Sequence, residues 1–149
     1  MWKPSNVNMH YIKIILFSFV FFILIFAATY LSMQMFADQP SSSCLDCSYL
    51  KDTFFFSVFS LFVIPFVLLT MNKVKINRTL FSIIISALFI LIAFINSFNL
   101  FKDRVSSWSS YSTKDEVIAT IFQSYLYTFS GSIIVFLIFY TVYKTDKEL

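Results

Sequence analysis

Residues 14–33 read IILFSFVFFILIFAATYLSM, a stretch without a single charge. An α-helix needs about 20 apolar residues to cross about 30 Å of hydrocarbon, so this stretch is long enough to span a membrane alone. Three further runs follow it, at 53–71, 79–99 and 117–143, and none of the 11 basic or 8 acidic residues falls inside any of the four. None of the runs alternates in polarity, and each is about twice the length of a transmembrane β-strand. The predicted fold is all-α: a polytopic integral membrane protein, with a single four-helix transmembrane domain over 1–149.

Composition agrees with this reading and closes off others. The chain is 58% hydrophobic and 13% charged, with 21 Phe and 1 Gly in 149 residues. Average soluble domains are about 45–50% apolar and about 25% charged. A disordered chain and an ordinary soluble enzyme are excluded, as is chemistry that needs a glycine-rich phosphate loop. A net charge of +3 is accounted for by membrane topology, and no nucleic-acid partner is expected. The absence of charge within the runs argues against ion-coupled transporters and voltage sensors; a small-molecule or ion conduit is the weakest of three functional readings.

Loop charges orient the bundle. Lys3, Lys13, Lys73, Lys75, Arg78, Lys144 and Lys147 fall on one side; Lys51, Lys102, Arg104 and Lys114 fall on the other, with six of the eight acids. The positive-inside rule puts the N- and C-termini in the cytoplasm and loops 34–52 and 100–116 outside the cell inner membrane. The first run is too long for a signal-peptide core, so it is read as an uncleaved helix. The short 72–78 loop predicts that the second and third helices are antiparallel neighbours. Pro65, inside the second run, frees the Leu61 carbonyl and predicts a kink.

Apolar faces do not drive helices together in lipid, whereas small and hydroxyl residues do. Ser124, Thr128 and Ser132 recur at spacing four, along one helical face. Ser82, Ser86, Ala93 and Ser97 form a second stripe. Both are expected to face inward, with Phe-rich surfaces toward lipid; they serve either as packing faces or as a docking face for another membrane protein. Asn96 and Gln123 lie at similar depth, near the outer ends of their spans, where they either pair or reach interfacial water. In the 100–116 loop, Trp108 and Tyr111 read as anchors at the membrane–water boundary. Thr113 followed by Glu116 reads as a capping box that starts the fourth helix.

The two cysteines, Cys44 and Cys47, occur in SCLDCSYLK at 43–51. On the outer side a disulfide between them is permitted. At a helix N-terminus the thiolate would also be favoured. Two cysteines fill half of a tetrahedral zinc site, and His10 is predicted on the opposite side, so no metal site is expected. Four helices, cytoplasmic termini and Cys-x-x-Cys-x-Tyr-x-basic (Cys44, Cys47, Tyr49, Lys51) resemble the DsbB family. That resemblance implies a membrane thiol–disulfide oxidoreductase with Cys44 and Cys47 catalytic, and with Tyr49 and Lys51 near a quinone. The family carries a second cysteine pair in the second outer loop, which this chain lacks. The overall plan is also similar to colicin A-type immunity proteins, small four-helix inner-membrane proteins that bind a toxin's pore-forming domain. The leading expectation is a non-enzymatic protein, without a cofactor, that acts by binding another membrane protein.

Overall fold

The computed structural model describes residues 6–44, 46–73 and 76–142, with side chains over 11–44, 46–71 and 76–142. His10 and the orienting residues Lys3, Lys73, Lys75, Lys144 and Lys147 lie outside the described side chains. The described residues form five α-helices: α1 (Asn6–Ser32), α2 (Tyr49–Val58), α3 (Ser60–Lys73), α4 (Arg78–Arg104) and α5 (Thr113–Thr141), with short 3-10 turns at Gln34–Phe36 and Ser106–Trp108. Four helical stretches are long and apolar enough to cross a membrane, with α2 and α3 together making the second.

The second span breaks earlier than Pro65 predicts. The interruption is at Phe59, and helix resumes at Ser60 and continues through the proline. Ser57 and Ser60 turn their hydroxyls onto the carbonyls of Thr53 and Ser57, both at 2.8 Å. Serine hydroxyls that compete for helical carbonyls loosen and bend a helix, so the hinge falls on the serine pair.

Caps fix where the helices begin. Ser48 starts α2, its Oγ accepting from the Lys51 N–H. Asn77 starts α4 by accepting from the Thr79 N–H. Helix α4 outruns the predicted span by five residues, to Arg104, with Lys102 and Arg104 in its last turn, where cations oppose the negative end of the helix dipole. The box before α5 is shifted by one residue from the expected Thr113–Glu116 pair. Ser112 is the N-cap and exchanges bonds with Asp115, which leaves Glu116 free to turn inward.

Helix α4 packs most extensively on α5, and α1 packs on α5, α3, α2 and α4. Of the second span, both halves neighbour the third in different ways: α3 shares the main core with it, and α2 packs on it toward the cysteine end. The main core joins Phe17, Phe21 and Ile25 of α1, Ile64 and Leu68 of α3, Phe81, Ile85 and Phe89 of α4, and Val135 and Phe139 of α5. Phenylalanine therefore fills the interior as well as the outer surface, where Phe55, Phe62, Phe66 and Phe122 are exposed. Phe21 and Phe89 meet edge to face at 5.4 Å, a favoured aromatic geometry. The tip of Phe89 occupies the space over Gly131, where an added Cβ would meet ring atoms at 2.7 Å.

Candidate functional site: a polar cap at the cysteine end

At the end of the bundle that carries the cysteines, the 34–48 segment and the end of α4 are welded together. Two consecutive residues of α4 do this. Asp103 accepts from the Ser41 hydroxyl at 2.6 Å, the Ser42 hydroxyl at 2.8 Å and the Ser43 N–H at 2.9 Å. Arg104 forms an ion pair with Asp52 at 2.6 Å and donates to the carbonyls of Ala37, Gln39 and Cys47. Its guanidinium also lies 5.2 Å from the centre of the Tyr49 ring, within cation–π range. Arg104 is only 2% exposed. A buried guanidinium is tolerated when a carboxylate and several acceptors replace its water shell, and this one has both.

A second buried carboxylate completes the cap. Glu116 sits inside, hydrogen-bonded by the Ser106 hydroxyl. It also extends the hydroxyl stripe of α5 by two turns, since Glu116, Thr120, Ser124, Thr128 and Ser132 are all buried at spacing four. The i, i+4 spacing that picked out the last three residues picks out Glu116 as well. Its assignment to a capping box concealed it.

The Cys44 and Cys47 sulfurs lie at disulfide-bonding distance. Each residue is half-buried, and they sit just before α2 as the sequence predicts. The Cys44 N–H donates to Ser41 Oγ at 3.2 Å. Tyr49 is buried and gives its hydroxyl to the Tyr30 carbonyl at 2.6 Å, while Lys51 is exposed. Tyr49 therefore lies inside the bundle and Lys51 outside it. The cation next to the cysteine loop is Arg104 instead, 57 residues from Cys47 in sequence, and no local motif points to it.

The remaining expected site residues fall into two groups. Trp108 and Tyr111 are 54% and 44% exposed on the cap. The Trp108 indole N–H donates to the Pro40 carbonyl, and Tyr111 meets Phe101 edge on. Ser82, Ser124, Thr128 and Ser132 are buried among this chain's own helices, and Ser86 is half-buried. Most of these hydroxyls do not bridge helices. Ser82, Ser124 and Ser132 return to carbonyls three or four residues back on their own helix. Ser32 and Ser97 do bridge α1 and α4, at 3.0 Å. Ser124 and Thr128 also border a groove between α4 and α5 walled by Ile90, Phe94, Tyr125 and Phe129. Asn96 and Gln123 do not pair. Asn96 Nδ2 is buried with no hydrogen-bond partner among the described residues. Gln123 lies one position off the buried 116–132 line and is only half-buried.

No family model matches this chain, and neither a curated protein nor a solved structure does.

Proposed function

We propose that this chain is a non-enzymatic multi-pass protein of the cell inner membrane, with cytoplasmic termini, whose cap faces outward and docks another membrane protein. Immunity-like protection against a pore-forming toxin is the concrete form of that reading. One observation carries it. The cap is held by buried charges and backbone carbonyls, yet Met35, Leu50, Trp108 and Tyr111 remain exposed on it. A surface ordered before contact avoids the entropy cost of ordering loops on binding. Trp and Tyr are also among the residues that dominate recognition energetics. The hydroxyl stripes lie inside the bundle, so the docking face is assigned to the cap. The excess of Lys and Arg on the opposite end supports the outward direction of the cap.

The test is protection. Cells expressing the chain are challenged with a panel of pore-forming colicin A-type toxins, and potassium efflux is recorded. Reduced efflux for one toxin, lost in a Leu50→Ala/Trp108→Ala variant that still inserts and folds, supports the reading. Unchanged efflux across the panel, together with no photocrosslink from residues 35, 50 or 108 to any membrane protein, overturns it.

A second reading is favoured by one feature, the half-buried Cys44–Cys47 pair at the start of α2. In it the chain is a thiol–disulfide oxidoreductase. Cys44 and Cys47 in native membranes would then re-oxidise after mild reduction only when quinone is supplied. Mass-tagged alkylation of acid-quenched cells reads that directly.

A further inference from the structure

The segment 41–52 is gripped on both sides of its cysteine pair by neighbouring residues of α4. Ahead of the pair, Ser41, Ser42 and Ser43 all donate to the Asp103 carboxylate, and the Cys44 N–H is tied to Ser41 Oγ. Behind it, the Cys47 carbonyl accepts from Arg104 Nη2 at 3.2 Å, and Asp52 takes the same nitrogen at 2.6 Å. Asp103 and Arg104 are adjacent on a rigid helix, so the separation of the two grips is fixed on the α4 side. On the loop side, among the described residues, the ring closed by the disulfide between Cys44 and Cys47 and the Cys47 N–H bond to the Cys44 carbonyl at 3.0 Å hold that separation.

We propose that the Cys44–Cys47 bond is a redox latch on the cap. This inference rests on the reading of the cap as a docking surface and adds its regulation. In the disulfide form the ring holds both flanks at the spacing that Asp103 and Arg104 demand. In the dithiol form the ring lengthens, the two grips no longer fit at once, and the 41–52 segment lifts from α4. The reductant is a dithiol, protein-borne or small. Its thiolate attacks one sulfur of the pair, a mixed disulfide forms, and the second thiol of the reductant displaces it. Two electrons and two protons end on Cys44 and Cys47, and the reductant leaves as its own disulfide. Each cysteine is half-buried rather than sealed, so the bond is open to such attack. Closing so short a ring restrains the open segment by about twentyfold in the opening equilibrium, enough to change the population of a cap that opens locally.

The test is hydrogen–deuterium exchange on the full chain in nanodiscs, before and after dithiothreitol, alongside a Cys44→Ser/Cys47→Ser variant that needs no reductant. Exchange over 41–52 should rise about twentyfold on reduction and in the variant alike, while 85–97 and 124–139 stay unchanged. Unaltered exchange over 41–52 in both samples overturns the latch, and so does a rise spread evenly along all helices. The measurement contains no docking partner, so its failure leaves the docking reading standing. Absence of toxin protection, conversely, leaves the exchange result intact.

Discussion

The cap and the waist of the bundle are built from different physics. In the cap, three buried charged side chains (Asp103, Arg104 and Glu116) are held by directional bonds, those of Asp103 and Arg104 to residues distant in sequence. At the waist, Phe21, Ile85, Phe89 and Val135 fill space with no polar atom in their side chains. Several hydroxyls near that level are folded back onto their own helices. A packed waist loses stability in proportion to volume mismatch. A cap of interlocked charges loses it in steps, because each removed partner strands another buried group. The cap should therefore be the more brittle of the two regions, although it contains fewer residues.

Arg104→Met tests this most severely. It leaves the half-buried Asp52 without a cation and orphans the carbonyls of Ala37, Gln39 and Cys47. The expected loss is about 3–5 kcal/mol, measured by unfolding in mixed detergent micelles. Adding Asp52→Leu to the variant should recover about 1 kcal/mol or more, as coupled pairs do. A loss below about 1 kcal/mol for the single variant would mean the ion pair behaves like a surface pair, and the contrast between cap and waist would fail.

At the waist the sharpest position is Gly131. A methyl group there enters the space taken by Phe89 Cε1 and Cζ. Gly131→Ala should cost about 1–3 kcal/mol through overpacking. Phe89→Leu in the same chain should relieve part of that cost, since it withdraws the ring tip. If Gly131→Ala is neutral by the same unfolding assay, α5 shifts freely on α4 and the waist is less tightly interlocked than the geometry indicates.

Hydropathy reads the waist well and the cap poorly, for a physical reason. The four helical stretches long and apolar enough to cross a membrane announce themselves because each is a run of apolar residues, and a run is a local property. The grip of Arg104 on residues 37, 39, 47 and 52 is a property of three-dimensional closure. In the sequence, Arg104 is one of four basic residues in the 34–52 and 100–116 loops, counted only for its sign. Asp103 and Glu116 were hidden in the same way, as loop charge and as a capping residue. The end of α4 was misplaced because a charge ends an apolar run without ending a helix. The start of α5 offers a clean check. Ser112→Ala should cost about 1 kcal/mol, because Ser112 Oγ accepts from the Asp115 N–H. Thr113→Ala should cost only a few tenths, since that side chain is exposed within the first turn. Equal losses from the two would restore the box that the sequence alone suggests.

A further small effect bears on how helices hold together where the waist meets the cap. The sequence led to an expectation of hydroxyl stripes acting as interhelical glue, yet Ser82, Ser124 and Ser132 serve as small surfaces whose hydroxyls stay on their own backbone. Ser32 and Ser97 are different, since they join α1 to α4 at 3.0 Å. Within a membrane such bonds average about 0.6 kcal/mol, because the unpaired hydroxyl falls back on a carbonyl of its own helix. Ser32 already has that fallback, donating to the Thr29 carbonyl at 2.9 Å. Ser97→Ala should thus cost about 0.6 kcal/mol, and Ser124→Ala less, since its hydroxyl bonds only within α5. If Ser97→Ala instead approaches the Arg104→Met loss, directional bonding extends from the cap down into the waist. The two regions would then be one cooperative polar structure, with the apolar packing laid around it.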